Sequence, residues 1–577
     1  MFLSERDLRS GTWQAFVRAV ARLLVHEGFT DIRLVDQPGD RGADLLAHRG
    51  GKRWLFQVKH WRQKAGVEVA DQVLQAMRTY RAHVPVIVAL NGFDDSLREH
   101  HQVLLSRGVP LQLWDCGTLV SRARRLSGHD WVPEPREYQK DAIEAIVRAY
   151  TEGHARRAMI VMATGLGKTF VACEAIRRLN AFSPVRVLAI AHTNELVYQL
   201  ERAFWPFLKQ DQATLVWNQY EQPIASDLLR VPFIFACLNT VAAHVKHGGE
   251  LPPFDIILVD ECHHVGAEMY RAVLEETRAG KPGGPFLVGL TATPWRPDDV
   301  DLREYFGDPL VCVDIVTGLK KGFLSNVDYR MYTDNIKWEA LKNLRGSRFS
   351  PKQINRTLFI NEWDDAVVHE LGAAWGEQPN PRAIVFCGTI DHAITMRDRI
   401  NAFGFCNAAA IYSGGPTGRT MPPAERNRIL SDFHDGIVGV VCAVDIFNEG
   451  IDVPEVNIIV FQRVTHSRRI FVQQLGRGLR IAPGKEKVIV LDFVSDIRRF
   501  AAGLELKDSL SAEPGPGPGN PVRISLPHKV TFRRVGGEDP ETESFLREWL
   551  EDIAAVESAG EDASILKFPP ELPGGRR

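Results

Sequence analysis

No apolar run among the 577 residues approaches the ~18 needed to cross a bilayer, so a helical membrane span is not expected. Cysteine is equally thin: eight residues, scattered from Cys116 to Cys442 without one CxxC pair. That pattern excludes zinc ribbons and disulfide frameworks and suits the reduced thiols of a cytoplasmic protein. Nor is there an excess of one charge: Lys plus Arg is 70 against 72 for Asp plus Glu, a net of −2. A balanced total neither demands nor forbids a polyanionic partner, because a local basic face can hide inside it. The opening MFLSERDLRSGTW also lacks the charged-then-apolar layout of a signal peptide, so neither membrane nor export is expected. What is present is ordinary: 45% apolar and 25% charged residues, the composition of folded soluble chains. At roughly 100–200 residues per domain, the length predicts three to five domains.

Charge is unevenly spread. Residues 1–127 hold 19 Lys/Arg against 13 Asp/Glu, a local net of +6; residues 505–577 hold 9 against 14, a net of −5. A basic front end suits phosphate contacts. Within it, helical spacing of apolar residues over 12–28 stops at Gly28, strand signals follow near 32–35, 43–47 and 54–58, helical periodicity returns over 69–80, and an apolar strand runs over 84–90. The prolines of GHDWVPEP (128–135) mark a boundary. Between 138 and 293, continuous apolar runs at 158–162, 185–191, 233–237, 256–259 and 286–290 alternate with helix-length amphipathic stretches. Continuous runs indicate strands buried on both faces, hence a parallel sheet between helices. The same rhythm returns at 383–387, 438–444, 458–461 and 488–493, which predicts a second α/β domain. Residues 301–370 read as an insertion plus connector, 513–521 (EPGPGPGNP) as a semi-stiff linker, and 540–556 as one acidic amphipathic helix.

Several of these junctions carry chemistry. Ala163–Thr169 reads ATGLGKT between a strand and a helix. Gly165 and Gly167 let the backbone curl its amides toward phosphate oxygens, and the helix N-terminus adds partial positive charge. Lys168 would reach the β- and γ-phosphates of ATP, and Thr169 would ligate Mg²⁺. The strict phosphate-loop pattern wants glycine where this chain has Met162. The strand 256–259 ends in Asp260 and Glu261, placed to hold magnesium and to polarise an attacking water. Another strand-to-loop junction carries Thr291-Ala292-Thr293. Farther on, QQLGRGLR (473–480) sets Arg477 and Arg480 three apart, on one side of a helix, as candidates to neutralise transition-state charge.

In the basic front end, Asp44 precedes a short strand, and Gln57-Val58-Lys59 closes the next. Residues two apart share a strand face, so Gln57 and Lys59 point one way and Phe56 and Val58 the other; Asp44 joins the first face if the strands pair. Asp44 and Gln57 would bind Mg²⁺ through oxygens, and Lys59 would steady the attacking water or the developing phosphate charge.

These blocks, in this order, resemble the motifs of superfamily 2 helicases and translocases over roughly 136–495, most nearly the branch with the motors of type I and type III restriction enzymes. The resemblance implies that Tyr138 and Gln139 form the adenine-side motif and that 163–169, including Thr164, form the phosphate loop. His192 and Thr193, with Asn239 and Thr240, would contact nucleic acid. Asp260 to His263 would be the acidic box and Thr291 to Thr293 the coupling motif. Gly450 and Asp452 match the ribose contacts, and Gln473, Arg477 and Arg480 the last motif. Residues 10–115 resemble the Mrr-like branch of the PD-(D/E)xK restriction endonucleases, with Gln14 where that family usually carries a helical glutamate.

The expected fold class is α/β: a restriction-endonuclease-like domain (1–127), two tandem RecA-like parallel-sheet domains (128–300, which binds ATP, and 371–500) joined through 301–370, and a small C-terminal extension (501–577). The function implied is an ATP-dependent DNA helicase or translocase with a fused Mg²⁺-dependent endonuclease, acting in restriction or antiphage defence alongside partner proteins, with RNA left open as a substrate. The alternatives are a repair or remodelling helicase, or a nucleic-acid sensor, whose front domain binds DNA but cuts weakly.

Overall fold

The computed structural model describes residues 2–35, 42–126, 132–153, 156–262, 268–292, 302–313, 318, 321–332, 361–412, 420–444, 455–462, 481, 484–493, 524–525 and 530–535. Among them no helix is long and apolar enough to cross a membrane.

The first sheet takes β1 (Thr30–Leu34), β2 (Leu45–Arg49), β3 (Lys52–Lys59), β4 (Val84–Ala89) and β5 (Gln112–Asp115) in chain order. Its first pairings are antiparallel and its last two parallel. The helix Trp13–His26 starts where Thr12 Oγ1 accepts the Ala15 N–H at 3.1 Å, and Gly28 turns the chain out at φ 78°. It covers one sheet face with Phe16, Val20 and Leu24 against Phe56 and Val58. Val67–Thr79 covers the other with Val69 and Val73 against Leu55 and Ile87. The alternation expected of β3 is therefore present.

The second sheet contains β6 (Arg157–Met162), β7 (Val187–Ala191), β8 (Thr214–Trp217), β9 (Phe233–Cys237), β10 (Ile256–Val259), β11 (Phe286–Thr291) and β12 (Pro309–Val313), all parallel, in the order β12-β6-β11-β10-β7-β9-β8. The third contains β13 (Asn326–Tyr332), β14 (Ala383–Cys387), β15 (Ala408–Tyr412), β16 (Val440–Val444), β17 (Ile458–Gln462), β18 (Lys487–Asp492), β19 (Ile524–Ser525) and β20 (Val530–Val535), in the order β15-β16-β14-β17-β18-β13-β20-β19. Only its β19–β20 pair is antiparallel.

Two expectations need correction. Residues 301–370 are more than an insertion and connector: β12 pairs with β6 and β13 with β18, so the stretch adds a strand to each RecA-like sheet. The C-terminal extension likewise returns to the third sheet, where β20 pairs with β13 along Val327–Tyr332. Polar residues in β13 hid it from a search for apolar runs; Asp328 and Arg330 are buried there as an ion pair at 2.9 Å. The linker at 513–521 and the helix at 540–556 lie outside the described residues.

The front domain is fused to the first RecA-like lobe through a buried charge cluster. Arg18 Nε lies 2.7 Å from Glu201 Oε2, and its Nη1 and Nη2 bind Glu221 at 2.5 and 2.9 Å. Thr214 Oγ1 donates to Glu201 at 2.6 Å and Tyr198 OH to Glu221 at 3.2 Å. Burial disfavours the Arg18 charge, but Glu201 and Glu221 outweigh it and raise the guanidinium pKa. Arg22, one turn on, donates to the carbonyls of Lys209 and Gln212 at 3.1 and 2.8 Å. Trp205, from the lobe's side, is 1% exposed and belongs to the core cluster of the front domain; burying one large apolar side chain contributes about 1.5–3 kcal/mol.

Candidate active sites

The C-terminal edge of the second sheet gathers the nucleotide residues, as open parallel sheets generally do. β6 runs into the loop 163–167, and the helix Lys168–Phe182 leaves from it. Gly165 and Gly167 adopt φ 93° and 83°, the left-handed region that glycine enters without strain. A Cβ on Gly167 would also sit 2.6 Å from Gln139 Nε2, so a side chain there would displace the loop's own support. That support is specific: Gln139 Nε2 and Tyr138 OH both donate to the Leu166 carbonyl, at 2.9 and 3.2 Å, and Gln139 Oε1 accepts the Arg136 N–H at 2.9 Å. Met162, where a strict pattern wants glycine, is a fully buried residue at the end of β6. The curl begins only after Ala163, whose N–H donates to Val313 of β12, so a side chain at 162 obstructs nothing.

Across β11 lies β10, which delivers Asp260 and Glu261. Asp260 is 8% exposed; its N–H donates to Ile190, and its Oδ1 accepts the Glu261 N–H at 3.0 Å. Burial, with the like charge of Glu261 adding to it, pushes its carboxyl pKa up to about 6 against the pull of Lys168. Glu261 sits at φ 46°, a left-handed conformation unusual for a residue with a side chain, and forms an ion pair with Lys168 Nζ. Thr291 ends β11 fully buried, opposite Val161 of β6. A divalent cation suits this place, because it would favour the charged form of the buried Asp260 carboxylate, and Thr169, second in the helix after the loop, would offer it a hydroxyl oxygen.

One cleft of about 580 Å³ is lined by His192, Thr193, Asn239 and Thr240, together with Gln222 and His244. Thr193 caps the helix Asn194–Phe204, its Oγ1 accepting the Leu196 N–H at 3.3 Å, and Asn239 and Thr240 open the helix Leu238–Lys246. The four predicted nucleic-acid residues thus share one surface at two helix N-termini, which suits backbone phosphates.

In the first sheet, the Asp44 N–H donates to the Phe56 carbonyl at 2.9 Å, and its carboxylate accepts the Val58 N–H. The Gln57 amide, 1% exposed, satisfies its neighbours when its oxygen is assigned to the side facing Lys59 Nζ, 2.8 Å away, and its nitrogen to the side facing the Val69 carbonyl, 3.2 Å away. Burial lowers the Lys59 pKa, while Asp44 and Glu68 act to raise it. Carboxylate, amide and ammonium therefore meet as expected. One carboxylate and one neutral oxygen fit Mg²⁺, which keeps several of its waters; among the described residues no group of three or more His, Cys, Asp or Glu forms a denser cation site.

Some neighbours were missed. Glu68 and Gln72 reach the same cluster from the helix Val67–Thr79, Gln72 meeting the Gln57 amide at 2.9 Å. Their i, i+4 spacing was a readable signal. Phe323 stacks on Tyr138 with centroids 4.2 Å apart, a contact between distant segments that no local pattern announces. Thr164 lies in the turn of the phosphate loop. His263, Thr293, Gly450, Asp452, Gln473, Arg477 and Arg480 lie outside the described residues.

Residues 8–123 match the family described as "Restriction endonuclease" (Mrr-type catalytic domain), 133–296 "Type III restriction enzyme, res subunit", and 364–482 "Helicase conserved C-terminal domain". The type I restriction enzyme EcoAI endonuclease subunit of Escherichia coli is 28% identical over 64% of this chain and 47% of its own length. The DNA 3′–5′ translocase XPB2 of Sulfurisphaera tokodaii is 24% identical over 60% of this chain and 79% of its own. The chain thus spans about half the length of the restriction subunit it matches. Among solved structures, the type ISP restriction-modification enzyme LlaBIII bound to DNA superposes with a TM-score of 0.51 at 17% identity, over 94% of this chain and 42% of that one, a likeness of fold. The three matched segments follow one another as the three sheets do: an Mrr-type restriction endonuclease segment in front, then two segments that match superfamily 2 helicase domains of the restriction-motor kind.

Proposed function

We propose that this protein hydrolyses ATP to drive itself along DNA and cuts DNA with a Mg²⁺-dependent nuclease in its front domain, as part of a cytoplasmic defence against foreign DNA. The observation that carries the motor is the Lys168–Glu261 ion pair at the mouth of the phosphate loop. A lysine aimed at phosphates and a carboxylate aimed at water are the two groups that triphosphate hydrolysis needs side by side. In this account the 163–169 amides and Lys168 hold the β- and γ-phosphates, and Glu261 orients the attacking water. Thr169 and Asp260 would hold a Mg²⁺ that neutralises phosphate charge. Tyr138 and Gln139 brace the loop on the adenine side. From the second lobe, Gly450 and Asp452 would meet the ribose, with Gln473, Arg477 and Arg480 closing on the γ-phosphate. His192, Thr193, Asn239 and Thr240 grip backbone phosphates, so movement needs no base readout.

In the nuclease, Asp44 and Gln57 would hold Mg²⁺, and Lys59 would steady the charge developing on the scissile phosphate. A second function, DNA binding with weak cutting in a repair or remodelling motor, is favoured by two observations: the buried residue beside Lys59 is the neutral Gln57, and Gln14 occupies the helix position where the resemblance implies a glutamate.

Two assays separate these. Plasmid incubated with Mg²⁺ should be nicked by the wild type and spared by Asp44→Ala or by EDTA; absence of cutting on every DNA tested would leave the second function standing. ATP turnover should rise with DNA and vanish in Lys168→Ala. Stimulation by RNA in preference to DNA would overturn the defence role.

A further inference from the structure

The front domain meets the two RecA-like lobes in different ways. Toward the first lobe the contact is buried and ionic, through Arg18, Glu201, Glu221 and Trp205. Toward the second lobe it is also ionic but less deeply buried, Arg53 and Asp435 each being 13% exposed, and one helix, Pro423–His434 with its cap Asp435, carries it. Arg53 Nη2 of β3 lies 2.5 Å from Asp435 Oδ1, His434 Nε2 lies 3.5 Å from Asp31 of β1, and Asn427 Nδ2 donates to the Val35 carbonyl at 3.2 Å. If the lobes shift against each other, the contact that yields is the less buried one, because its charges reach water on separation while those around Arg18 would be stranded away from it.

That contact is not at an indifferent place. Val35 turns its N–H onto the carbonyl of Asp44 at 2.9 Å, and Asp44 is in turn tied to Phe56 and Val58 of β3. A lobe-2 side chain therefore grips the carbonyl of Val35, the residue whose own N–H holds the Asp44 carbonyl, while a second grips Arg53, six positions before Lys59 on the strand that bears the rest of the nuclease cluster.

We infer that Asn427 and Asp435 are positioning residues for the nuclease: they clasp the Val35 and Arg53 ends of its sheet to the second lobe, so that the lobe movement driven by ATP releases and restores the backbone around Asp44. The inference rests on the nuclease function proposed above. Through the clasp, cutting is gated by the motor's position without any group entering the nuclease site. The nuclease travels with lobe 1 and is held in its cutting geometry only while lobe 2 is in contact.

The test is amide hydrogen exchange at Val35 in the full-length protein, with and without a non-hydrolysable ATP analogue and duplex DNA. In the wild type the analogue should speed exchange about tenfold by opening the clasp. Asn427→Ala combined with Asp435→Ala should show that fast rate without nucleotide and no further response, with its DNA-stimulated ATP turnover retained as proof of folding. Exchange in the wild type indifferent to the analogue, or a variant that still responds, would overturn the clasp. Plasmid nicking is read in parallel: the double variant should nick several-fold more slowly and lose any response to the analogue, and undiminished nicking would remove the link to cutting. A wild type no better than Asp44→Ala at nicking would instead remove the nuclease function, with the exchange result still deciding whether the clasp exists.

Discussion

Lys168 and Glu261 neutralise one another at the mouth of the 163–167 loop, each about one-eighth exposed and each following a different strand of the same sheet. Phosphate binding must draw Lys168 away from Glu261, so the carboxylate competes with the nucleotide for the lysine until the nucleotide arrives. Glu261→Gln should therefore bind ATP at least as tightly as the wild type, while turnover falls by about 10²–10⁴-fold for want of a group to orient water. Titration with a fluorescent nucleotide and steady-state hydrolysis measure the two separately. An affinity loss as large as the rate loss would contradict the assignment.

Gln57 offers a cation a neutral oxygen, which attracts it less than a carboxylate would. Gln57→Glu should lower the Mg²⁺ concentration at half-maximal nicking, with Lys59 at 2.8 Å able to satisfy the added charge. A rise in that midpoint would mean that residue 57 is not a ligand.

Arg18→Met would leave Glu201 and Glu221 buried without their counter-ion, a loss of about 3–5 kcal/mol in comparable pairs. Faster limited proteolysis near residue 127 and a lower thermal midpoint should follow. Adding Glu201→Gln and Glu221→Gln should recover much of the loss, since the whole set can be replaced more cheaply than broken. Equal stability of Arg18→Met and wild type would show that the two units are held by something else.

Glu174 gives a stability prediction with a definite sign. Burial would raise its carboxyl pKa, yet hydrogen bonds from Arg177 and Arg178, at 2.6–2.9 Å, outweigh burial and bring it below the ordinary glutamate value. The unfolded chain then takes up this proton at a higher pH than the folded one. The stabilisation is complete above the ordinary glutamate pKa and disappears as pH falls through the depressed one. Thermal midpoints measured from neutral pH downward should fall less steeply in Glu174→Gln than in the wild type; parallel curves would remove Glu174 as a contributor.

Much of the fold was legible because buried parallel strands write themselves as unbroken apolar runs. Phe233–Cys237, Ile256–Val259 and Ala383–Cys387 coincide with the runs that predict them, and each is buried along its whole length. Strands that escaped were short, peripheral or compositionally disguised. Thr214–Trp217 is a four-residue edge, Ala408–Tyr412 is mostly alanine, and Pro309–Val313 is an edge strand that opens on proline. The candidate sites were legible wherever chemistry sits at fixed spacing, as in Gln57–Lys59 and the adjacent pair Asp260–Glu261. Arg18 and Asn427 were not, since their partners lie some two hundred residues or more away and only tertiary packing brings them together.

Trp205 makes the front domain less separable than its sequence boundary suggests. Severing the chain near residue 127 would leave its hydrophobic interior missing a filler that the neighbouring lobe supplies, and would expose the charged socket built for Arg18. Grafting a different cutting module onto this motor, or this module onto another motor, would therefore have to carry along the stretch from Tyr198 to Glu221. Modularity in this architecture ends three α-helices later than the boundary at 128–135 implies.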